Sequence, residues 1–351
     1  MTDGTWTPAS TPPQPQPGAT AAATPRKRSA VTILTVILLV LSIAANVVLL
    51  AAVIGLATMV GASLTGGGID DNYLERVVEK GPASHKIAVI RVEGLIYDPL
   101  VAAVHSQVRR AARDDDVKAV ILRINSPGGY LSASDMLYHE IQSFREETGK
   151  PVIAAMDGVA ASGGYYAACA TETIVAQQTT ITGSIGVIAQ YYFLSGLLQD
   201  KLGIHTVTLK MGDQKDWPNM LSAGMTAEQT EYIMTALLEP GYNRFVDVVA
   251  EARKTDRQKI LTLATGRIFI AAEAKANGLI DEIGYFERAV EIAKERAGLA
   301  EARVVEYVQP FGLFELLGAS AKTGALIDLR PETLTALVTP SPRVMTLWTG
   351  Q

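Results

Sequence analysis

Ser162 is the residue of this sequence whose surroundings best suit a nucleophile. It follows an apolar stretch typical of a buried strand, and Ala161, Gly163 and Gly164 leave its hydroxyl without bulky neighbours. Small residues after a strand predict a sharp turn into a helix, whose positive end favours a developing negative charge. A serine that precedes a helix is also a common N-cap, so capping is the alternative interpretation of this stretch.

A serine nucleophile needs a base, and the four scattered histidines of the chain offer no good candidate. The Gly-x-Ser-x-Gly motif of nucleophile-elbow hydrolases is absent around Ser162 and Ser184. Ala160 and Thr182 stand where its first glycine would be. A lysine can take the role of base where desolvation lowers its pKa. Lys215, in a polar loop between apolar segments, is the candidate, with a solvated surface charge as the alternative.

Two glycine-rich corners each follow a predicted strand, at residues 127–129 and 162–164. In a parallel sheet both corners lie at the carboxyl edge, where open α/β sheets form their sites. Amides in such corners could stabilise an oxyanion, and each donor is worth roughly 2.7–4 kcal/mol to the transition state. The alternative interpretation is a pair of tight strand-to-helix turns, for which glycine is common.

The elements around these residues alternate between apolar strands and helical periodicity. This order predicts an α/β fold with parallel strands joined by helices. Predicted strands cover residues 86–92, 117–124, a segment from 151, and residues 173–176, 205–209 and 304–308. Predicted helices cover residues 98–113, a segment ending near 148, the segment after Ser162, and residues 194–202, 226–253, 271–277 and 285–297. Pro240 should divide the helical pattern at 226–253 into two helices.

The N-terminal part predicts a membrane anchor. Residues 1–29 are rich in Thr, Pro, Ala and Gln, which is typical of a disordered tail. Three basic residues end this tail, and no charged residue follows until Asp70. Residues 30–64 therefore predict one transmembrane helix, since roughly 20 apolar residues span a bilayer; a cleaved signal peptide is the alternative. The basic residues place the tail in the cytoplasm and the rest of the chain outside it.

The remaining sequence divides into a linker at residues 65–84, a folded domain at 85–310 and an extension at 311–351 without strong periodicity. The 31 basic and 36 acidic residues give a net charge of −5, which argues against nucleic acid as a partner. The single cysteine, Cys169, excludes an intrachain disulfide. Because no histidine or cysteine cluster has metal-ligand spacing, neither a metal nor another cofactor is expected.

The chain resembles the signal peptide peptidase A (SppA) family of membrane-bound serine proteases, in its short, single-domain form. The motifs occur in the family's order and with similar spacing over about residues 85–285. They are Asn-Ser-Pro-Gly-Gly at 125–129, Ala-Ala-Ser-Gly-Gly-Tyr-Tyr at 160–166, Thr-Gly-Ser-Ile-Gly-Val at 182–187, Lys-Asp at 215–216, Gly-Arg-Ile-Phe at 266–269 and Ala-Lys-Ala-Asn-Gly-Leu-Ile-Asp at 274–281.

The resemblance implies that Ser162 is the nucleophile, Lys215 the general base and Ser184 the hydroxyl that orients the lysine. It also implies an oxyanion donor at Gly129, and Gly163 in the second corner is the other expected donor. The family fold is a ClpP/crotonase-like α/β spiral. Family members assemble as homo-oligomeric rings, and in short members the serine and the lysine come from neighbouring subunits.

The expected function is that of a serine endopeptidase anchored in the cell membrane. Its expected substrates are remnant signal peptides and other membrane-associated or mislocalised peptides. A crotonase-like acyl-CoA enzyme is one alternative, but its coenzyme would require a cytoplasmic domain. A catalytically silent membrane-anchored ring scaffold is another, and the simultaneous presence of Ser162, Ser184 and Lys215 argues against it.

Overall fold

The computed structural model describes residues 34–35, 37–51 and 73–309, together with the backbone of residues 345–347. Residues 34–35 and 37–51 are helical, and this segment and the domain that begins at residue 73 are separate units. Among the described residues, no helix is long and apolar enough to cross a membrane.

Several of the sequence predictions fall outside the described residues. These are the tail at residues 1–29, much of the transmembrane helix predicted at 30–64, the first part of the linker, and the extension at 311–351 apart from its short strand. They remain expectations.

The described part of the domain is built on a single sheet. Its strands, numbered along the chain, are β1 (Leu74–Glu79), β2 (Lys86–Ile96), β3 (Val117–Tyr130), β4 (Val152–Ala161), β5 (Thr173–Ala176), β6 (Ile181–Gly183), β7 (Ile268–Ile270), β8 (Glu282–Ile283), β9 (Arg303–Val308) and β10 (Met345–Leu347).

Along the sheet the strand order is β1-β9-β2-β3-β4-β5-β8. All neighbours from β9 to β8 run parallel, and only β1 at the edge of this path is antiparallel. Beside this path, β6 runs parallel to the end of β4, β7 is antiparallel to β6, and β10 is antiparallel to β3. The predicted α/β fold with a mainly parallel sheet is confirmed.

Helices connect the parallel strands and cover both faces of the sheet. The α-helices of the domain are α1 (Asp98–Arg113), α2 (Leu131–Thr148), α3 (Gly163–Ala168), α4 (Ala227–Ile233), α5 (Glu239–Ala252), α6 (Arg257–Leu263), α7 (Ala271–Ala276) and α8 (Phe286–Ala297). Two π-helical segments, Leu197–Lys201 and Met234–Leu238, accompany them.

Strand β2 illustrates why the sheet is buried on both faces. Ala88 and Ile90 point into the core beneath most of the helices, whereas Ile87 and Val89 point into the core beneath α8. Successive strand residues face opposite sides, so an apolar run without alternation fits a sheet covered on both faces. The predicted strand at residues 86–92 is confirmed for this reason.

Three predicted boundaries change in the structure. Residues 74–79, predicted to lie in a polar linker, form β1, whose backbone pairs with β9 and whose Arg76 pairs with buried Glu306. Strand β3 does not end at Ile124 but continues through the first glycine corner to Tyr130. The helical pattern at 226–253 is not broken at Pro240: α4, the π-helical turn Met234–Leu238 and α5 follow one another without a gap, and Pro240 lies in the first turn of α5.

The strand predicted at residues 205–209 is wrong for the single chain, in which these residues form neither strand nor helix. Strand amides and carbonyls need a neighbouring strand, and the described part of the chain places none beside these residues. Val207, Leu209 and Met211 are 82%, 92% and 94% exposed. A segment with apolar side chains is therefore presented to solvent.

Candidate active site

Ser162 occupies a strained corner between β4 and α3. Its backbone has φ 53° and ψ −118°, and the residue is 1% exposed. Such a conformation costs a non-glycine residue about 1–3 kcal/mol and is found preferentially at functional sites. The Ser162 hydroxyl forms no capping hydrogen bond with α3. Ser162 does occupy the N-cap position of α3, and its carbonyl accepts the amide of Tyr166 at 2.8 Å, but capping by the side chain does not account for the serine.

Ser184 lies at the end of the strand beside Ser162. Strands β4 and β6 are in register, with Ala161 opposite Gly183, so the two serines are the next residues of neighbouring strands. Ser184 is buried, has φ 51°, and donates its amide to the carbonyl of Arg267 at 2.8 Å. The structure thus brings two of the three expected catalytic side chains to the same sheet edge.

The two glycine corners meet at Gly164 and Ser126. A Cβ atom at Gly164 would lie 2.8 Å from the carbonyl oxygen of Ser126, so only glycine lets α3 approach β3 this closely. Gly129 is equally constrained, since a side chain there would clash with the backbone of Ile96. Gly163 is the first residue of α3, where amides have no acceptor within the helix. The segments that carry Gly129 and Gly163 are therefore packed together.

The edge of β3 beyond this junction accepts an extended segment. Strand β4 pairs with β3 as far as Ala160 opposite Ser126, and then separates from β3 while it still pairs with β6 as far as Ala161. Past that point β10 pairs antiparallel with β3, with Thr346 opposite Gly129. Because β2 holds the other edge of β3, β10 must lie on the edge that β4 vacates. No periodicity within residues 311–351 predicted this strand.

Lys215 is exposed in the loop that follows the segment with Val207, Leu209 and Met211. Its amide donates to the carbonyl of Gly212 at 3.2 Å, and within the described chain no hydrogen bond joins its amine to Ser162 or Ser184. The nearby Lys210 instead pairs with Asp216 at 2.6 Å. One chain therefore assembles the two serines and the glycine corners but leaves the expected base apart.

Two tyrosines that sequence reasoning passed over hold α3 in place. The hydroxyl of Tyr165 donates to the carbonyl of Leu279 at 2.8 Å, and that of Tyr166 donates to Asp135 at 2.5 Å. Burial, together with the bond to Asp135, raises the pKa of Tyr166 well above its usual range, so this hydroxyl stays a donor. Their position directly after Gly164 was the only signal in the sequence.

Comparison with known proteins decides the family. A sequence model of Peptidase family S49 matches residues 145–300, and one of Clp protease matches residues 82–182. A protein of Enterococcus faecium that carries the name signal peptide peptidase SppA is 35% identical over 244 residues, which are 66% of this chain and 70% of that protein. The chain belongs to peptidase family S49. The resemblance inferred from the motifs is confirmed, and with it a family of serine-type peptidases.

Other S49 relatives are longer. Protease 4 of Salmonella typhi is 35% identical over 239 residues, which are 68% of this chain but 38% of that protein. Protease 4 of Haemophilus influenzae is 34% identical over 256 residues, 69% of this chain and 40% of that protein. The chain thus spans less than half the length of these two relatives. The S49 match includes Ser162, Ser184 and Lys215, and the Clp protease match includes Gly129 and Gly163.

Proposed function

We propose that the protein is a membrane-bound serine endopeptidase with a Ser162–Lys215 dyad. The observation that carries this proposal is the placement of Ser162, a buried serine held in a strained corner directly beside Ser184. Membership of family S49 supports the same reaction class.

In the proposed mechanism, Ser162 Oγ attacks the carbonyl carbon of the scissile peptide bond while its proton passes to Lys215 Nζ. The amides of Gly129 and Gly163 stabilise the oxyanion of the tetrahedral intermediate. Lys215 then returns the proton to the leaving amine, and an acyl-enzyme remains on Ser162. Water, deprotonated by the same lysine, releases the second product. Ser184 orients the amine throughout.

We propose that a neighbouring subunit supplies the lysine. Lys215 follows a segment whose Val207, Leu209 and Met211 are exposed in the single chain. Exposed apolar surface of this kind marks interaction sites. A second copy that covers this segment would also remove Lys215 from water, as a lysine base requires. A repeated contact of this type generates a ring.

The substrate is proposed to be an extended peptide that adds to the vacated edge of β3. The antiparallel pairing of β10 with Gly128–Tyr130 supports this mode, because it places main-chain partners beside the Ser162 corner. Remnant signal peptides and other membrane-associated or mislocalised peptides are the proposed substrates.

Residues 30–64 are proposed to anchor the protein in the cell membrane. The uncharged run between Arg28 and Asp70 supports one span, with the tail in the cytoplasm and the catalytic domain outside. Protease added to intact spheroplasts should then degrade the domain and spare the tail. A fully protected domain would contradict this orientation.

The activity itself is tested with the full-length protein, purified in detergent, on a panel of fluorogenic peptides. Ser162→Ala should reduce hydrolysis more than ~10³-fold, because removing the nucleophile removes the covalent route. Thr171→Ala, which removes a buried hydroxyl bonded to the carbonyl of Ala168, is the matched control and should remain active. Hydrolysis that survives Ser162→Ala would refute the proposed function.

A further inference from the structure

We infer that Ser126 is a positioning residue that fixes the oxyanion corner of β3. The inference rests on the proposed function and concerns a residue to which the sequence motifs assign no separate role. Ser126 is 0% exposed, and both hydrogen-bonding capacities of its hydroxyl are used. The hydroxyl donates to the carbonyl of Gly94 at 2.6 Å and accepts from the amide of Gly128 at 3.1 Å.

These two partners belong to irregular parts of neighbouring strands. The pairing of β2 with β3 shifts register between Glu93 and Leu95, and the residue between them, Gly94, has φ 74°. The pairing of β3 with β4 shifts between Ile124 and Ser126. Such irregularities leave backbone groups without ladder partners. The Ser126 hydroxyl thus bonds one carbonyl and one amide at these irregular positions.

The consequence for the corner is a further constraint on a glycine-rich backbone that also pairs with β2 and β10. Pro127 has a restricted φ, whereas Gly128, with φ 106°, lies in a region that glycine adopts readily. The bond from the Gly128 amide to the Ser126 hydroxyl restricts this residue and commits its amide to the protein interior. The direction of the next peptide unit, which ends in the Gly129 amide, is set with it.

Ser126 also touches the second corner. Its carbonyl oxygen and Cβ atom would lie 2.8 and 3.4 Å from a Cβ atom at Gly164, so the start of α3 rests directly on this residue. The neighbouring Gly163 is the other proposed donor. One buried serine therefore contacts both segments that carry the oxyanion donors, and a change in its hydroxyl should alter their relative placement.

The test compares Ser126→Ala with Ser126→Cys and with Thr171→Ala in the full-length protein. A misplaced donor weakens the transition state more than the bound substrate. Ser126→Ala should lower kcat about 10- to 100-fold with KM changed less than about threefold, and should weaken a peptide boronate inhibitor by the same factor as kcat. Ser126→Cys keeps the shape of the side chain and a weak donor, so its kcat and its affinity for the inhibitor should lie between those of the wild type and those of Ser126→Ala.

The outcomes separate this role from a purely structural one. A wild-type kcat in Ser126→Ala, or a loss that Thr171→Ala reproduces, would overturn the inference. If Ser126→Ala does not fold, Ser126→Cys alone decides: unequal losses in kcat and boronate affinity would refute positioning.

Failure of the proposed function would be recognised differently. Wild-type protein would then not hydrolyse peptides, or Ser162→Ala would retain activity. The hydrogen bond from the Gly128 amide to the Ser126 hydroxyl can still be tested in that case, because hydrogen exchange of this amide should accelerate in Ser126→Cys. Unchanged exchange would show, whatever the activity, that Ser126 does not hold this backbone.

Discussion

The amide of Ser162 donates a 2.8 Å hydrogen bond to the carbonyl oxygen of Gly183. This bond ties the turn after β4 to the end of β6, and Ser184 is the next residue along. It also directs the Ser162 amide into the sheet, which leaves the Gly163 amide as the donor of this corner in the proposed mechanism. Each serine therefore follows directly on one of two paired strands.

Lys215 has no such support within one chain, which leads to a prediction about mixed oligomers. Ser162→Ala and Lys215→Ala should each be inactive alone. When subunits of the two variants exchange in equal amounts, about a quarter of the sites should combine an intact serine with an intact lysine from the neighbour. We expect about a quarter of the wild-type rate of peptide hydrolysis.

The control for this experiment is a mixture of each variant with itself, treated identically. Subunit exchange is verified by mass spectrometry of differently tagged chains. Complete exchange without recovered activity would mean that each site takes its serine and lysine from the same chain.

Lys215→Arg should be nearly inactive even though it preserves the positive charge. A guanidinium remains protonated and cannot accept the serine proton. Lys210→Arg is the matched control, since Lys210 lies in the same exposed segment and an arginine can keep its ion pair with Asp216. The measurement is kcat for a fluorogenic peptide with the oligomer checked by size-exclusion chromatography. Comparable rates for the two variants would remove Lys215 from the mechanism.

The sequence predicted those elements that are determined locally. The apolar runs of β2 and β3 and the amphipathic pattern of α1 and α8 identify themselves without knowledge of their neighbours. Strand β1 escaped prediction because half of residues 74–79 are charged and the segment gains its strand conformation by pairing with β9, far along the chain. Strand β10 likewise forms by pairing with the distant β3.

The candidate site divides in the same way. Ser162 and Ser184 are recognisable because their glycine-rich surroundings are contiguous in sequence. The role of Ser126 depends on a hydrogen bond to Gly94, which lies on another strand, and no local pattern reports it. The surroundings of Lys215 in an assembly depend on a second chain, so neither the sequence nor one protomer determines them.

Gly164→Ala should impair both folding and activity. The added Cβ would meet the backbone oxygen of Ser126 at 2.8 Å, which cannot be relieved by moving a side chain. We expect a loss of about 1–3 kcal/mol in the free energy of unfolding, as for other overpacked sites. Because the strain separates the two glycine corners, kcat should fall as well.

Gly158→Ala is the matched control for this substitution. Gly158 lies on β4, six residues before Gly164, and a Cβ atom there would meet nothing closer than Asn125 Oδ1 at 3.9 Å. Denaturant unfolding and peptide hydrolysis are measured on both variants. Equal stability of the two would show that α3 does not rest on Ser126 as closely as described.

Removal of residues 345–351 should strengthen peptide binding. Strand β10 pairs with the edge of β3 on which we expect the substrate, so an external peptide must first displace it. A site that is open a tenth of the time binds its ligand about tenfold more weakly than an open one. Truncation before Met345 should therefore lower KM by up to about tenfold while kcat changes little.

A point substitution separates this effect from other consequences of truncation. Thr346→Pro cannot donate its amide to the ladder opposite Gly129 and should lower KM in the same way. Thr349→Pro, beyond the strand, should leave KM unchanged. A KM that is equal in all four proteins would mean that β10 and the substrate do not compete for this edge.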